Sequence, residues 1–451
     1  MKQFEAIKSG SRIVAQAGLA LVGKILEKAG IRSIAESMPV SKEHPQNTFS
    51  EGDVIVATIG KMCAGNTTFE SIREYKGDTE FYQDALGISG VISPERLRQR
   101  LNQCAGETAD GLPFQDAVRE MNMAVLFQGP SPRPLKCGLI PLDIDVTPYD
   151  ESKSHKEGVS RTYKNFDGYA PICAYIGLHG SFLNTEFRVG SQHCQKGTVD
   201  FLIKTIDLAN RYTHGRKLLV RMDSGNDAVA NLAEIMKRGH YFIVKRNIRK
   251  ESKEQWLALA EQYVEPEKLR EGKFRYVGST WKEIRYTELD GTPAEKKVRV
   301  VYEIIKRTIA GNGQIYLLPD VEVNTWWDNT GYAEEDVIEL YHQHGTSEQY
   351  HAELKSEMNM ERLPSGRFAT NCLVHELSMV AYNVLRMLGL ELAGMECVPM
   401  RQKADRRRFR TVICNIIRIP ARVLKSGRRM RLDVGSSNLW SDAFVELMSM
   451  P

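Results

Sequence analysis

Three acidic residues carry most of the chemistry this sequence offers. Asp145 lies in "DIDVT", Asp223 in "VRMDSGND" and Glu348 in "YHQHGTSEQYHAELK". Carboxylate oxygens suit hard divalent cations such as Mg2+, which keep open positions for water and phosphate. Two such ions close together stabilise both the attacking and the leaving oxygen of an in-line phosphoryl displacement. Taken singly, each acid reads as a turn residue or a helix cap. The stretch around Glu348 adds weight, because Tyr341, His344, Glu348 and Lys355 follow at steps of three, four and seven residues. On an α-helix, at about 100° per residue, they project within roughly 60° of one another. One narrow face would then carry a phenol, an imidazole, a carboxylate and an ammonium.

The elements around these residues follow from periodicity. Residues 1 to 125 read mostly helical, and "SPERLRQRLNQCA" opens with Ser93 as N-cap and Pro94 at the first helical position. Arg96, Arg98 and Arg100 crowd one side of that helix, which suits either DNA or solvent. "LFQGPSPRPLKCG", ending a 126–138 segment, has the composition of a linker. "GLIPLDIDVT", "YAPICAYIGL" and "SFLNTEFRVG" then predict three strands, "GTVDFLIKTIDLANRYT" an amphipathic helix and "KLLVRMDSGND" a fourth strand. In such a unit the first and fourth strands commonly lie side by side, so Asp145 and Asp223 at their ends become neighbours. From 236 to about 330 the text is β-rich and basic, and helix returns at "AEEDVIELYHQHG" and "HELSMVAYNVLRMLGLEL".

Composition sets limits on function. The chain has 451 residues, enough for two to four domains. Its apolar runs are too short to span a membrane. The eight cysteines are scattered without a C-x-x-C pair, as in a reduced, cytoplasmic protein. The net charge of +4 decides little, but its distribution is informative. Between Arg401 and Arg431 stand twelve Lys and Arg and one acid, Asp405. Arg406, Arg407, Arg408 and Arg410 form its densest part and suit a phosphate backbone. The loop "SKSHKEGVSRTYKNFDG" offers Lys153, Lys156, Arg161 and Lys164 to DNA or to solvent. Trp326 and Trp327 in "TWWDNT" would stack on an unpaired base if exposed; a Trp pair at a strand's end is more often core.

These motifs together resemble a bacterial insertion-sequence DDE transposase, of the branch marked by a Tyr-x2-Arg-x3-Glu-x6-Lys signature. Tyr341, Glu348 and Lys355 match the signature, and His344 replaces its arginine. "DIDVT" resembles the strand of the first catalytic Asp, favouring Asp145 over Asp143, and "VRMDSGND" resembles the second-Asp motif. The resemblance spans roughly residues 45 to 435 and is strongest between 140 and 390.

The resemblance implies an α/β ribonuclease H-like catalytic core interrupted by a β-rich insertion, with helical N-terminal and basic C-terminal regions. Its parts would be a helical DNA-binding region at 1–125, the linker at 126–138 and the first part of the core at 139–235. The insertion would follow at 236–332, the second part of the core with the Glu helix at 333–395, and the basic region at 396–451. Asp145, Asp223 and Glu348 would hold two Mg2+ ions, with Mn2+ as substitute. Tyr341, His344, Lys355 and the C-terminal arginines would face double-stranded DNA at transposon ends and target. The protein would act as a homodimer on DNA, in the cytoplasm with the nucleoid. The alternative is a ribonuclease H-fold endonuclease that cuts without joining.

Overall fold

The strand that carries Asp145 sets the architecture. In Ile140–Val146 the apolar residues Ile140, Leu142, Ile144 and Val146 alternate with Asp143 and Asp145, so one face of the strand is apolar and the other acidic. Only Asp145 in this strand escapes full burial. The computed structural model describes residues 4–38, 40, 49–106, 114–288, 290–401, 403–427 and 429–450.

Nine strands form one large sheet: β1 (Ile140–Val146), β2 (Ile172–Ile176), β3 (Ser181–Glu186), β4 (Leu218–Met222), β5 (Tyr241–Arg246), β6 (Glu267–Arg270), β7 (Lys273–Thr287), β8 (Pro293–Ile309) and β9 (Ile315–Asp328). Their order across the sheet is β6-β7-β8-β9-β5-β4-β1-β2-β3. The pairs β1–β2 and β2–β3 are antiparallel, whereas β1–β4 and β4–β5 are parallel. The expected strand, strand, strand, helix, strand sequence is present, with helix Thr198–Thr213 between β3 and β4. That helix buries Phe201, Leu202, Ile206 and Ala209, which share a core with the apolar residues of β1.

The β-rich segment continues this sheet. Tyr241–Arg246, grouped on sequence grounds with the insertion, is hydrogen-bonded in parallel to β4. β9 then pairs antiparallel with β5, and β8, β7 and β6 follow as antiparallel neighbours. Propensity alone cannot assign a strand to a neighbour. An antiparallel hairpin needs only a short turn and an open edge to extend a sheet.

The acidic face of β1 lies under a helical layer. The long helix Phe368–Gly394 packs against helices Glu51–Cys63, Pro94–Ala105 and Gln115–Leu126 and against β3. Ser93 caps its helix through the Arg96 N–H, as the spacing predicted. Arg100, expected among exposed arginines, is buried and paired with Glu51 at 2.8 Å. The chain's two ends meet: Ile13–Val14 pairs with Ala421–Ser426, itself a hairpin with Arg429–Asp433. Within the basic segment, Arg428 lies outside the described residues. Among the described residues, no helix is long and apolar enough to cross a membrane.

One buried acid inside this layer has a measurable signature. Glu376 of the long helix is fully buried, and burial pushes its carboxyl up to about 7 despite the opposing pull of Arg119. The folded state therefore holds a proton that the unfolded chain releases near the ordinary glutamate range. Stability falls as pH rises from about 4.5 to about 7, by about 3 kcal/mol in total. Glu376→Gln is expected to flatten that part of the curve, as measured by urea unfolding at a series of pH values. An unchanged slope would show that Glu376 ionises normally inside the fold.

Candidate active site

Register brings the first two acids together. In the parallel pair β1–β4, Asp143 stands opposite Arg221 and Ile144 opposite Met222. One residue further, Asp145, still within β1, neighbours Asp223, which follows the last residue of β4. Asp223 opens a tight turn, Ser224–Asn226, and its Oδ1 accepts a hydrogen bond from Asn226 Nδ2 at 2.8 Å. A Cβ at Gly225 in that turn would lie 3.2 Å from both Asp223 Oδ1 and Cys194 Sγ, pressing directly on the acid. Asp145 accepts from the Val146 N–H at 2.7 Å.

The Glu348 segment is a composite of four helical pieces. Glu334–His342 is α-helical, Gln343–Thr346 is a 3-10 turn, Ser347–Ala352 is α-helical again and Glu353–Glu357 is a π-turn. The helix through Tyr341, His344, Glu348 and Lys355 is not uniform, since α, 3-10 and π turns alternate along it. His344 is buried, with Nδ1 2.9 Å from Asp143 Oδ1. Lys355 donates to the Pro148 carbonyl at 2.8 Å and pairs with Glu361 at 3.0 Å. Tyr341 is half-buried, its ring 5.8 Å from Trp326 and 5.9 Å from His344. His344 and Lys355 thus fasten the segment to β1 and to the loop after it.

His351 provides a second anchor. It is buried, and its Nε2 lies 3.5 Å from Asp145 Oδ2. Glu348 stands four residues after His344 and three before His351, so it shares their side of the segment, yet remains exposed. The Tyr350 ring covers Gly180 in the β2–β3 turn, where φ is +67° and a Cβ would lie 2.2 Å from the ring. Its hydroxyl donates to the Leu178 carbonyl at 3.1 Å. Beneath lies a buried ion pair, in which Arg221 donates from Nε to Asp143 Oδ1 at 2.6 Å and from Nη2 to Oδ2 at 2.8 Å.

The electrostatics separate the three strand acids. Burial alone would raise Asp143, but Arg221 and His344 hold its carboxyl below the usual range. Burial also opposes ionisation of Asp145, and the His351 imidazole pulls it back down. Asp223 is raised, by burial first and then by the charge of Asp145. The phenol of Tyr163 is pushed up by burial and then by Asp145, Asp223 and Glu348 together.

A carboxylate raised by burial and by the charge of a neighbouring carboxylate, as Asp223 is by Asp145, fits a divalent cation, which would relieve the repulsion. His351 Nε2, buried and without a hydrogen-bond partner, faces the same place. Among the described residues, no three His, Cys, Asp or Glu side chains already stand at ligand spacing. The pair Asp145 and Asp223 is therefore the preformed part of a site, with exposed Glu348 adjoining it.

Other expected contacts lie elsewhere. Trp326 is fully buried in the core under helix Glu334–His342, with Lys245 Nζ 4.3 Å from its ring centroid. Trp327 is 7% exposed and donates from Nε1 to Asp227 at 2.8 Å. Neither indole has a free face, because the last four residues of β9 are buried on both faces of the sheet. Arg406 pairs at 2.7 Å with Glu353, which is itself buried and also bound by Arg386. Arg407 is buried as well. Arg408 and Arg410 remain exposed, with Arg408 paired to Glu357 at 2.5 Å. Within this basic run Arg406 seats the C-terminal region on buried Glu353. His351, Arg221 and Tyr163 were missed. The step of three from Glu348 to His351 and of two from Arg221 to Asp223 were visible signals, whereas nothing in the sequence marked Tyr163.

Comparison with known proteins adds the lineage. The family model described as "Transposase DDE domain group 1" matches residues 1–450. No curated protein matches the chain. A similar solved structure is a cryo-EM structure of the piggyBac transposase synaptic complex with hairpin DNA. It is 10% identical, with a TM-score of 0.47, over 98% of this chain and 83% of that one. DDE transposases generally use divalent metal ions. With the family model covering almost every residue, the chain belongs to the DDE transposases.

Proposed function

We propose that this transposase serves a bacterial insertion sequence, binds the terminal inverted repeats, cleaves at the element ends and joins the resulting 3′-hydroxyls to target DNA. The observation that carries this reading is the parallel register of β1 and β4, which makes Asp145 and Asp223 neighbours. A strand order of β3-β2-β1-β4-β5 with only the last two pairings parallel supports a ribonuclease H-like core. The partner is double-stranded DNA at both steps, engaged by a homodimer, and the protein works in the cytoplasm with the nucleoid.

Asp145, Asp223 and Glu348 would hold divalent cations, two Mg2+ per site with Mn2+ as substitute. When bound, these supply Lewis-acid stabilisation of the attacking and leaving oxygens. The chain's own residues set the geometry. Arg221 neutralises Asp143, so the strand delivers Asp145 as its one available carboxylate. His344 and His351 fix the Glu348 segment over β1, leaving the Glu348 side chain free to complete the cage. The exposed approach of Glu348 matches a substrate as large as a duplex. An endonuclease without joining is the second reading, and strand transfer of a pre-cut end to plasmid separates the two.

Asp145→Asn, Asp223→Asn and Glu348→Gln are each expected to abolish cleavage and joining while end binding persists, because they keep shape and remove charge. Gel shift and cleavage of a labelled end duplex check this together. Cleavage at the wild-type rate in any one of them would remove that residue from the site.

For the basic region, the exposed and buried arginines should separate. Arg408→Ala with Arg410→Ala is expected to lower the slope of log affinity against log salt by roughly one for each phosphate that a guanidinium no longer neutralises, with stability unchanged. Arg406→Ala is expected to lower the melting temperature instead, since it strips a partner from buried Glu353. A reversed pattern would place Arg406 on the DNA.

A further inference from the structure

With both tryptophans buried, the aromatic ring left open beside the acids is Tyr163, which is 60% exposed. It stands at the tip of a small three-stranded sheet made by Tyr149–Asp150, Ser160–Arg161 and Asp167–Tyr169, with Asp167–Tyr169 in the middle. The tip is tightly bonded. Thr162 donates to the Phe166 carbonyl from both N–H and Oγ1 at 2.8 Å, and the Asn165 N–H donates to the Thr162 carbonyl at 3.0 Å. Asn165 takes the left-handed conformation the turn needs, at φ +63°, and Thr162 beneath it is buried.

The ring is also aimed. The Tyr163 hydroxyl donates to the carbonyl of Val146 at 3.1 Å, one residue beyond Asp145. The ring is thus pinned at its far end to the strand that presents the first acid. All three acids act on its phenol. Lys164 follows on the same tip, exposed, its Nζ 5.9 Å from the ring centroid. A fixed, exposed ring with a cation beside it fits a nucleotide, with the ring against the base and the ammonium toward the phosphate. A merely structural brace would need the hydroxyl and its bond, without an open ring face.

Building on the transposase reading, we propose that Tyr163 stacks on the base flanking the scissile phosphate, with Lys164 holding the adjoining phosphate. The ring positions the strand while the acids work on the bond.

The test is a cycle between protein and DNA. Full-length wild type, Tyr163→Ala, Tyr163→Leu and Tyr163→Phe are assayed with Mg2+ on a duplex of the terminal repeat flanking this coding sequence. The duplex is made intact or with one abasic site at each position beside the cleavage point. Tyr163→Ala is expected to slow cleavage by roughly 5- to 150-fold, the range for losing one base–aromatic stack. Tyr163→Leu, which keeps apolar bulk and guards against a folding defect, should be equally slow. Tyr163→Phe should stay near the wild-type rate. One abasic position should slow the wild type by a similar factor and slow the Ala variant no further, since both changes remove the same stacking interaction.

The proposal is overturned if Ala matches wild type, if Phe is as slow as Ala, or if the two defects multiply at every position. Should wild type cleave, Asp145→Asn fail and Tyr163→Ala behave normally, the transposase reading stands and only this inference falls. A wild type that leaves the duplex uncut defeats both.

Discussion

A buried charge pair underlies the site. Asp143 and Arg221 face each other across the β1–β4 register, with two hydrogen bonds between them. Removing one member of such a buried pair costs roughly 3–5 kcal/mol, because the other is left charged without a partner. The pair does more than stabilise. It locks the register of the two strands that place Asp145 and Asp223, and a slip of one residue would turn the slipped strand's side chains to the opposite face. His344 joins the same carboxylate from above, so a single buried anion holds two strands and the Glu348 segment together. Arg221 supplies a guanidinium to Asp143 from β4, and His344 adds its imidazole to the same carboxylate.

The irregularity of the Glu348 segment follows from these anchors. An ideal helix would carry Tyr341, His344, Glu348 and Lys355 toward one side. The 3-10 turn tightens the chain before Glu348 and the π-turn loosens it afterwards, as often happens at functional sites. The π-turn opens at Glu353, whose buried carboxylate receives Arg386 and Arg406. The C-terminal region is thereby docked to the turn that follows the candidate active site. Its arginines divide between this internal duty and the surface.

Much of the core was legible in the sequence. The strands from Ile140 to Met222 have strong β patterning, and the Thr198–Thr213 helix has a continuous apolar face. The acids at strand ends stood out because polar residues interrupt apolar runs there. What the sequence concealed was partnership over distance. Arg221 looked like part of a motif, yet its role depends on which residue faces it in another strand. The hairpins of β6 to β9 were readable as strands, but nothing local said that they extend the central sheet. Trp326 and Trp327, at a strand's end, read more readily as core than as a base-stacking pair, and both are buried. His351 was visible as a residue three steps from Glu348, without a sign that Asp145 would lie beneath it.

The pairing of Ile13–Val14 with Ala421–Ser426 has a consequence for how the protein is made. Val14 and Ala421 are more than four hundred residues apart, and the N-terminal helices and the long helix Phe368–Gly394 share one apolar core with the helix Ser441–Ser449. On the ribosome, the N-terminal segment emerges long before its partner strand is synthesised. It must wait with apolar surface uncovered, open to chaperones or to misassembly with another nascent chain. The helical layer over the acids therefore closes only once Ala421–Ser426 and Ser441–Ser449 have been made. A fragment released before Arg406 would hold both strand acids yet lack a guanidinium that seats the Glu348 segment through Glu353.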